Sequence, residues 1–150
     1  MNTIQNIKIL LVDDDADDRD IFRQVVLDSG IEAELTAVED GRELIAFLLD
    51  MKDAAAPDVI FLDLNMPGMD GKACLREIRH QPKFSMTPVI ILSTSTWFKD
   101  IEETYQGGAN LYISKAVFCT NSAQWIRRLF PPGWQTLLMH PSRDRFVFTF

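Results

Sequence analysis

The sequence lacks any long apolar run. Its longest unbroken stretch, residues 44–49, is six residues, against the roughly 20 that a bilayer-spanning helix needs. Cysteine is scarce: Cys74 and Cys119 are too few for a disulfide framework or a zinc site. Basic charge is also short, with 15 Lys+Arg against 22 Asp+Glu and a formal net charge of -7. That balance opposes non-specific binding to nucleic acid and to anionic membranes. Met1-Asn2-Thr3-Ile4-Gln5 carries neither the basic nor the apolar region of a signal peptide, and there are no low-complexity segments or internal repeats. The expectation is a cytoplasmic, single-domain protein. What is present fits it: 150 residues, 47% hydrophobic and 25% charged, enough to bury roughly two-thirds of the chain's surface without a covalent or metal staple.

Three short runs, Ile9-Leu10-Leu11-Val12, Val59-Ile60-Phe61-Leu62 and Val89-Ile90-Ile91-Leu92, show no polar alternation. Strands buried on both faces read this way, and they belong to parallel sheets covered by helices. Residues 33–38 and 111–114 are weaker strand candidates. Helical stripes lie between the runs. Ile21, Phe22, Val25 and Val26 form the first, closed by Ser29-Gly30; Leu44, Ile45 and Leu48 form the second; Ala73, Cys74, Leu75 and Ile78 form the third. A fourth helix is predicted from near Lys99 to Gln106, stopped by Gly107-Gly108, and a fifth over 122–129, stopped by Pro131-Pro132-Gly133. The alternation βαβαβαβαβα predicts an α/β three-layer sandwich with right-handed crossovers. Residues 50–58 form a loop longer than that fold requires. The stretch after Pro132 is too short for a second domain.

In an open parallel sheet, ligands bind outside the carboxyl ends of the strands. The residues just beyond the apolar runs are Asp13-Asp14-Asp15, Asp63, Ser93 and Lys115. Crowded carboxylates repel, and an oxygen-ligated divalent cation relieves the repulsion. Mg²⁺ suits such a set because it takes one or two carboxylates, keeps several waters and binds phosphate oxygens. A carboxylate beside it can attack phosphorus to give an aspartyl-phosphate, whose oxygens then need a metal, an ammonium and a hydroxyl around them. Asp14, Asp63, Lys115 and Ser93 supply that inventory. A lone Asp after a strand is often only the N-cap of the next helix; Asp15, Asp17, Asp18 and Asp20 are assigned to that structural and solvated role. The complement at four strand ends together separates the functional reading from the capping one.

These residues resemble the receiver domain of two-component response regulators over about residues 6–130. The resemblance rests on residues 9–14, on Asp63-Leu64-Asn65-Met66-Pro67-Gly68-Met69-Asp70-Gly71, on residues 88–93 and on Tyr112-Ile113-Ser114-Lys115. The Met-Pro-Gly turn after the acceptor is specific to the family, and the spacing of Asp63, Ser93 and Lys115 agrees with it. The resemblance implies a flavodoxin-like strand order, 2-1-3-4-5. It implies that Asp63 is the phosphoacceptor, and that Asp14 and Asp63 ligate Mg²⁺ directly, Asp13 through water and Asn65 through its carbonyl. Lys115 would pair with the phosphoryl group, Ser93 would be the switch hydroxyl, and Tyr112 the switch aromatic that rotates inward as Ser93 moves. Asn65 and Ser95 stand where the hydrolysis rate is often set, and neither brings a charge.

The implied activity is that of a single-domain switch rather than a metabolic enzyme. A histidine kinase or phosphotransferase phosphorylates it, it dephosphorylates itself slowly, and it signals through the face of the fourth helix, fifth strand and fifth helix. The receiver is placed at 1–130 and a C-terminal extension, with no separate effector domain, at 131–150; neither DNA nor membrane is an expected partner, and a homodimer is an open alternative. Ala116 departs from the family, which has proline after the lysine, often through a cis bond. A cis bond without proline costs roughly 2.5–4 kcal/mol, so the Lys115–Ala116 bond is expected trans and the following loop altered.

Two rivals are carried. A haloacid dehalogenase-type phosphatase also places Asp-x-Asp after the first strand, but Asp17 stands where it needs Thr or Val, and only Asp144 follows the lysine as an acid. An unphosphorylated pseudo-receiver used for docking draws support from Ala116 alone. His80 and His140 have no metal-spaced partner and read as surface, and Cys74 reads as core. Trp97-Phe98 is partial core or a partner surface. Arg145-Phe146-Val147-Phe148-Thr149-Phe150 alternates like a strand and is expected to dock on its own domain or on a second chain.

Overall fold

The computed structural model describes residues 6–52, 56–120, 122–139 and 141–148. Five strands, β1 (Ile7–Val12), β2 (Ala33–Val38), β3 (Val59–Leu62), β4 (Val89–Ser93) and β5 (Leu111–Ser114), form one all-parallel sheet in the order β2-β1-β3-β4-β5. The flavodoxin-like order is therefore observed, and both weaker strand candidates pair. Between the strands run α1 (Ala16–Ser29), α2 (Gly41–Asp50), α3 (Gly71–His80) and α4 (Phe98–Gln106), with a 3₁₀ turn at Pro82–Phe84. After β5 come α5 (Lys115–Phe118), α6 (Ser122–Leu129), α7 (Trp134–Leu138) and α8 (Arg143–Phe146). The helix that the sequence placed fifth is thus α6.

The unbroken apolar runs have two destinations because successive strand residues point to opposite faces. Ile9, Leu11, Phe61, Ile90 and Ile113 pack with Phe22, Val25 and Val26 of α1 and Trp125 and Ile126 of α6. Leu10, Val12, Ile60, Leu62 and Ile91 pack with Leu44 and Leu48 of α2 and Cys74, Leu75 and Ile78 of α3. Ile21, assigned to the α1 stripe, is instead 44% exposed; the buried α1 positions are Phe22, Val25, Val26 and Ser29, a narrower stripe. Gly30 closes α1 in the left-handed conformation, φ 74°, as the Ser29-Gly30 stop predicted.

The C-terminal segment differs from its predicted form. Residues 143–146 make a helical turn, and Val147 pairs with the sheet in a single isolated parallel bridge to Tyr112. Phe148 donates its N–H to the Tyr112 carbonyl at 2.9 Å. Alternation of Phe predicted a strand, but burying Phe146 between Tyr105 and Tyr112 (ring centroids 5.1 and 6.2 Å) takes a turn of helix. Trp134 and Leu138 join the core on the α1/α6 face, whereas Phe146 joins the core on the opposite face. The segment therefore wraps the open edge of β5 and docks on its own domain; Thr149 and Phe150 lie outside the described residues, as does His140. Among the described residues, no helix is long and apolar enough to cross a membrane.

Candidate functional site

Strand register assembles the site. Val12 pairs with Leu62, so Asp13 and Asp63 leave the sheet side by side. Ser93 pairs with Ser114, so Lys115 leaves one residue beyond Ser93 on the neighbouring strand. Asp13, Asp14 and Asp63 each offer a carboxylate oxygen, and these oxygens lie within 4.8 Å of one another. Asp13 and Asp63 are buried and Asp14 is exposed.

The two buried carboxylates are held differently. Asp13 accepts from the Asp15 N–H at 3.0 Å on one oxygen and meets Lys115 Nζ at 2.9 Å with the other. Its carbonyl accepts from Arg19 at 2.9 Å. Asp63 takes a long contact from the Asn65 N–H, 3.4 Å, and lies 3.5 Å from Lys115 Nζ. Burial pushes the Asp63 carboxyl up to about 6; the Lys115 charge pulls it down and the neighbouring Asp13 charge pushes it further up. A buried, loosely bonded carboxylate beside like charges is what a divalent cation with oxygen ligands stabilises, so the residues fit the metal the sequence called for. Asn65 is exposed beside them.

The segment after Asp63 is shaped to keep that carboxylate at the surface of the sheet. Gly71 approaches so closely that a Cβ there would sit 2.3 Å from the Asp63 carbonyl oxygen and 2.6 Å from Leu64 Cα. Its N–H bonds the Leu64 carbonyl at 3.0 Å, and Asp70 caps α3 by accepting from the Ala73 N–H.

Ser93 is fully buried, and its hydroxyl accepts from the Ser95 N–H at 3.1 Å. Tyr112 is already turned inward: it is 1% exposed and its hydroxyl donates to the Ser95 carbonyl at 2.8 Å. Burial raises its pKa. The Ser95 hydroxyl bonds Asp100, which also takes Lys72 at 2.6 Å, tying the β4–α4 loop to α3. Just beyond, Trp97 and Phe98 are 74% and 72% exposed, so neither is core. His80 is exposed and Cys74 buried, as expected.

Lys115 departs least where the sequence departs most. Among the described residues every peptide bond is trans, and Ala116 donates its N–H to Ser114 Oγ at 3.2 Å, starting α5. Proline has no N–H to make that bond, so Ala116 and the extra helical turn belong together. The ammonium still reaches the site, with a third partner that sequence reasoning missed: Asp18 Oδ2, 2.7 Å away. Burial lowers the Lys115 pKa, but hydrogen bonds to Asp18 and Asp13 and the charge of Asp63 outweigh it and hold the ammonium above its ordinary range. Asp18 is therefore not the solvated surface acid that the sequence predicts but half-buried and paired. Asp15 is the N-cap as assigned, accepting from the Asp18 N–H at 3.0 Å, and Asp17 and Asp20 are exposed. The missed signal was periodicity: the buried stripe Phe22, Val25/Val26, Ser29 extended back by one turn lands on Asp18, not on Asp17 or Asp20.

Residues 9–124 match the family profile of the response regulator receiver domain. The chain is 35% identical over 111 residues to the response regulator Rcp1 of Synechocystis sp., covering 72% of this chain and 76% of that protein. Its structure is similar to that of the phosphorylated cyanobacterial phytochrome response regulator RcpA, with TM-score 0.70 and 30% identity over 92% of this chain and 98% of that one. It is also similar to the Mn(2+)-bound form of Rcp1, with TM-score 0.72 and 29% identity over 91% and 97% of the two chains. Sequence motif, sheet order, acidic cluster and relatives agree, and the chain belongs to the response regulator receiver domains of two-component signalling.

Proposed function

We propose that this protein is a phosphorylation-controlled switch, in which a sensor histidine kinase or a histidine phosphotransferase donates a phosphoryl group to Asp63. The observation that carries the reading is the convergence of Asp13, Asp14 and Asp63 with the Lys115 ammonium 3.5 Å from the Asp63 carboxylate. A carboxylate oxygen of Asp63 attacks phosphorus, the P–O bond forms, and the P–N bond to the donor histidine breaks. Lys115 neutralises charge on the phosphoryl oxygens, and the Ser93 hydroxyl, released from the Ser95 N–H, supplies a further donor. Asp14 and Asp63 would hold Mg²⁺ directly, Asp13 through water and Asn65 through its carbonyl. The ion would supply positive charge against the crowded carboxylates and the incoming phosphoryl oxygens.

The reading extends to the output. Ser93 moving toward the acceptor frees the Ser95 loop, which the Tyr112 hydroxyl and Asp100 now tie down. The exposed Trp97 and Phe98 sit at the start of α4 beside that loop, so a protein target on the α4–β5–α6 face would sense the change. Residues 146–148, docked on β5, would border that contact. The setting is cytoplasmic, the role that of a switch rather than of a metabolic enzyme.

The test is the intact mass of the protein after incubation with Mg²⁺ and a small phosphoryl donor. Wild type is expected to gain one phosphoryl group and Asp63→Asn none. No gain in wild type, with fluoroberyllate also failing to bind, would favour the docking-module alternative.

A further inference from the structure

The Lys115 ammonium has three N–H donors and faces three carboxylates that are not held equally. Asp18 Oδ2 lies at 2.7 Å and Asp13 Oδ2 at 2.9 Å, while Asp63 Oδ2 stands off at 3.5 Å. The Asp18 contact is a charge-assisted hydrogen bond, Asp13 is an ion pair at hydrogen-bonding distance, and Asp63 is the longest and weakest of the three. Asp13 belongs to the acidic cluster itself. Asp18 does not: it rides on the first turn of α1, 97 residues from Lys115 in sequence. Its place is set by the helix stripe that buries Phe22 and by the cap that engages its N–H. The strongest hold on the ammonium therefore comes from outside the cluster.

We propose that Asp18 is a positioning residue for this site, one that holds Lys115 toward α1 and weakens its grip on whatever charge arrives at Asp63. A phosphoryl group on Asp63 adds negative charge beside the same ammonium, so the two anions compete for one set of donors. Asp18 thereby lowers the affinity of the site for a phosphoryl group and shortens its retention. This inference deepens the reading of Asp63 as acceptor and rests on it.

Asp18→Asn removes the competing charge and keeps the α1 cap, which uses the backbone N–H of residue 18 rather than its side chain. Asp17→Asn makes the same charge change one residue away at an exposed position. Asp18→Glu restores the carboxylate with one more methylene of reach. Fluoroberyllate in the presence of Mg²⁺, titrated calorimetrically into the full chain, measures affinity. The decay of the phosphorylated intact mass measures retention, and thermal melts report any loss of fold.

Asp18→Asn is expected to bind fluoroberyllate about three- to tenfold more tightly than wild type and to keep its phosphoryl group longer by a similar factor. Asp17→Asn and Asp18→Glu should stay within about twofold of wild type. A merely structural role for Asp18 would move the melt and leave these ratios alone. Equal affinities in Asp18→Asn and wild type, weaker binding in Asp18→Asn, or an equal gain in Asp17→Asn would each overturn the inference while leaving the acceptor reading intact. A wild type that takes neither fluoroberyllate nor phosphoryl would overturn both.

Discussion

Two inward-reaching cations sit at opposite ends of the sheet and are used in opposite ways. At the amino ends of β4 and β5, Arg79 makes five hydrogen bonds: two to the Gly108 carbonyl, one each to those of Phe84 and Thr87, and one to the Asn110 side chain. Each of these partners is neutral, every guanidinium N–H is used, and burial lowers the Arg79 pKa. At the carboxyl ends, Lys115 meets three carboxylates, more negative charge than one ammonium can balance. The first arrangement is saturated, and in that sense closed: no guanidinium N–H is left for a further acceptor. The second has surplus negative charge and a loosely held carboxylate in Asp63, whose contacts lie at 3.4 and 3.5 Å.

That contrast can be broken experimentally. The largest expected effect on stability is at the closed end. Arg79→Met leaves several loop carbonyls without a partner and should cost about 3 kcal/mol in denaturant unfolding. Phosphoryl uptake per folded molecule should be unchanged; a loss of uptake without a loss of stability would invert the comparison.

At the open end the sign should reverse. In metal-free protein the Asp63 pKa of about 6 lies above its unfolded value of 3.8. The group's favourable linkage is complete below the unfolded pKa and is lost as pH rises through 6, so near pH 7.5 the buried carboxylate is a net cost. Asp63→Asn should then stabilise the metal-free protein by on the order of 2 kcal/mol at pH 7.5 and by much less at pH 4.5. Mg²⁺ should raise the melting temperature of wild type and shrink this gap, because it neutralises the same charge. Chemical unfolding at the two pH values, with and without Mg²⁺, measures both.

The smallest effect is expected at Ala116. Ala116→Pro deletes the N–H that bonds Ser114 Oγ, worth about 1 kcal/mol, while proline remains tolerated in a first helical turn. A fluoroberyllate affinity within about threefold of wild type would mean that α5, and not the residue itself, sets where Lys115 stands.

Legibility followed the same division. The unpolar runs at residues 9–12, 59–62 and 89–92 announced a doubly covered parallel sheet, because only strands buried on both faces tolerate that pattern. The acids, hydroxyl and lysine at their ends then had to share one edge. Gly71 was legible as part of a motif, and its physical reason, contact with the Asp63 carbonyl, appears only with the fold. The tail misled because Phe146 and Phe148 keep a strand's alternation while Phe146 belongs to a turn of helix. Asp18 was hidden among six acids between residues 13 and 20, all of one chemical type.

What the sequence determined by itself was therefore the five strands and the helices that cross between them, their parallel arrangement and the inventory of groups at the strand ends, since hydrophobic periodicity and strand polarity suffice for those. What only the tertiary structure decided was pairing: which of six neighbouring acids meets the ammonium, which carboxylate is left at 3.5 Å, and which face of the sheet each tail aromatic fills. Pairing depends on how α1 is rotated and seated against the carboxyl end of β5, a matter of side-chain packing across 97 residues of chain, and local periodicity holds no record of it.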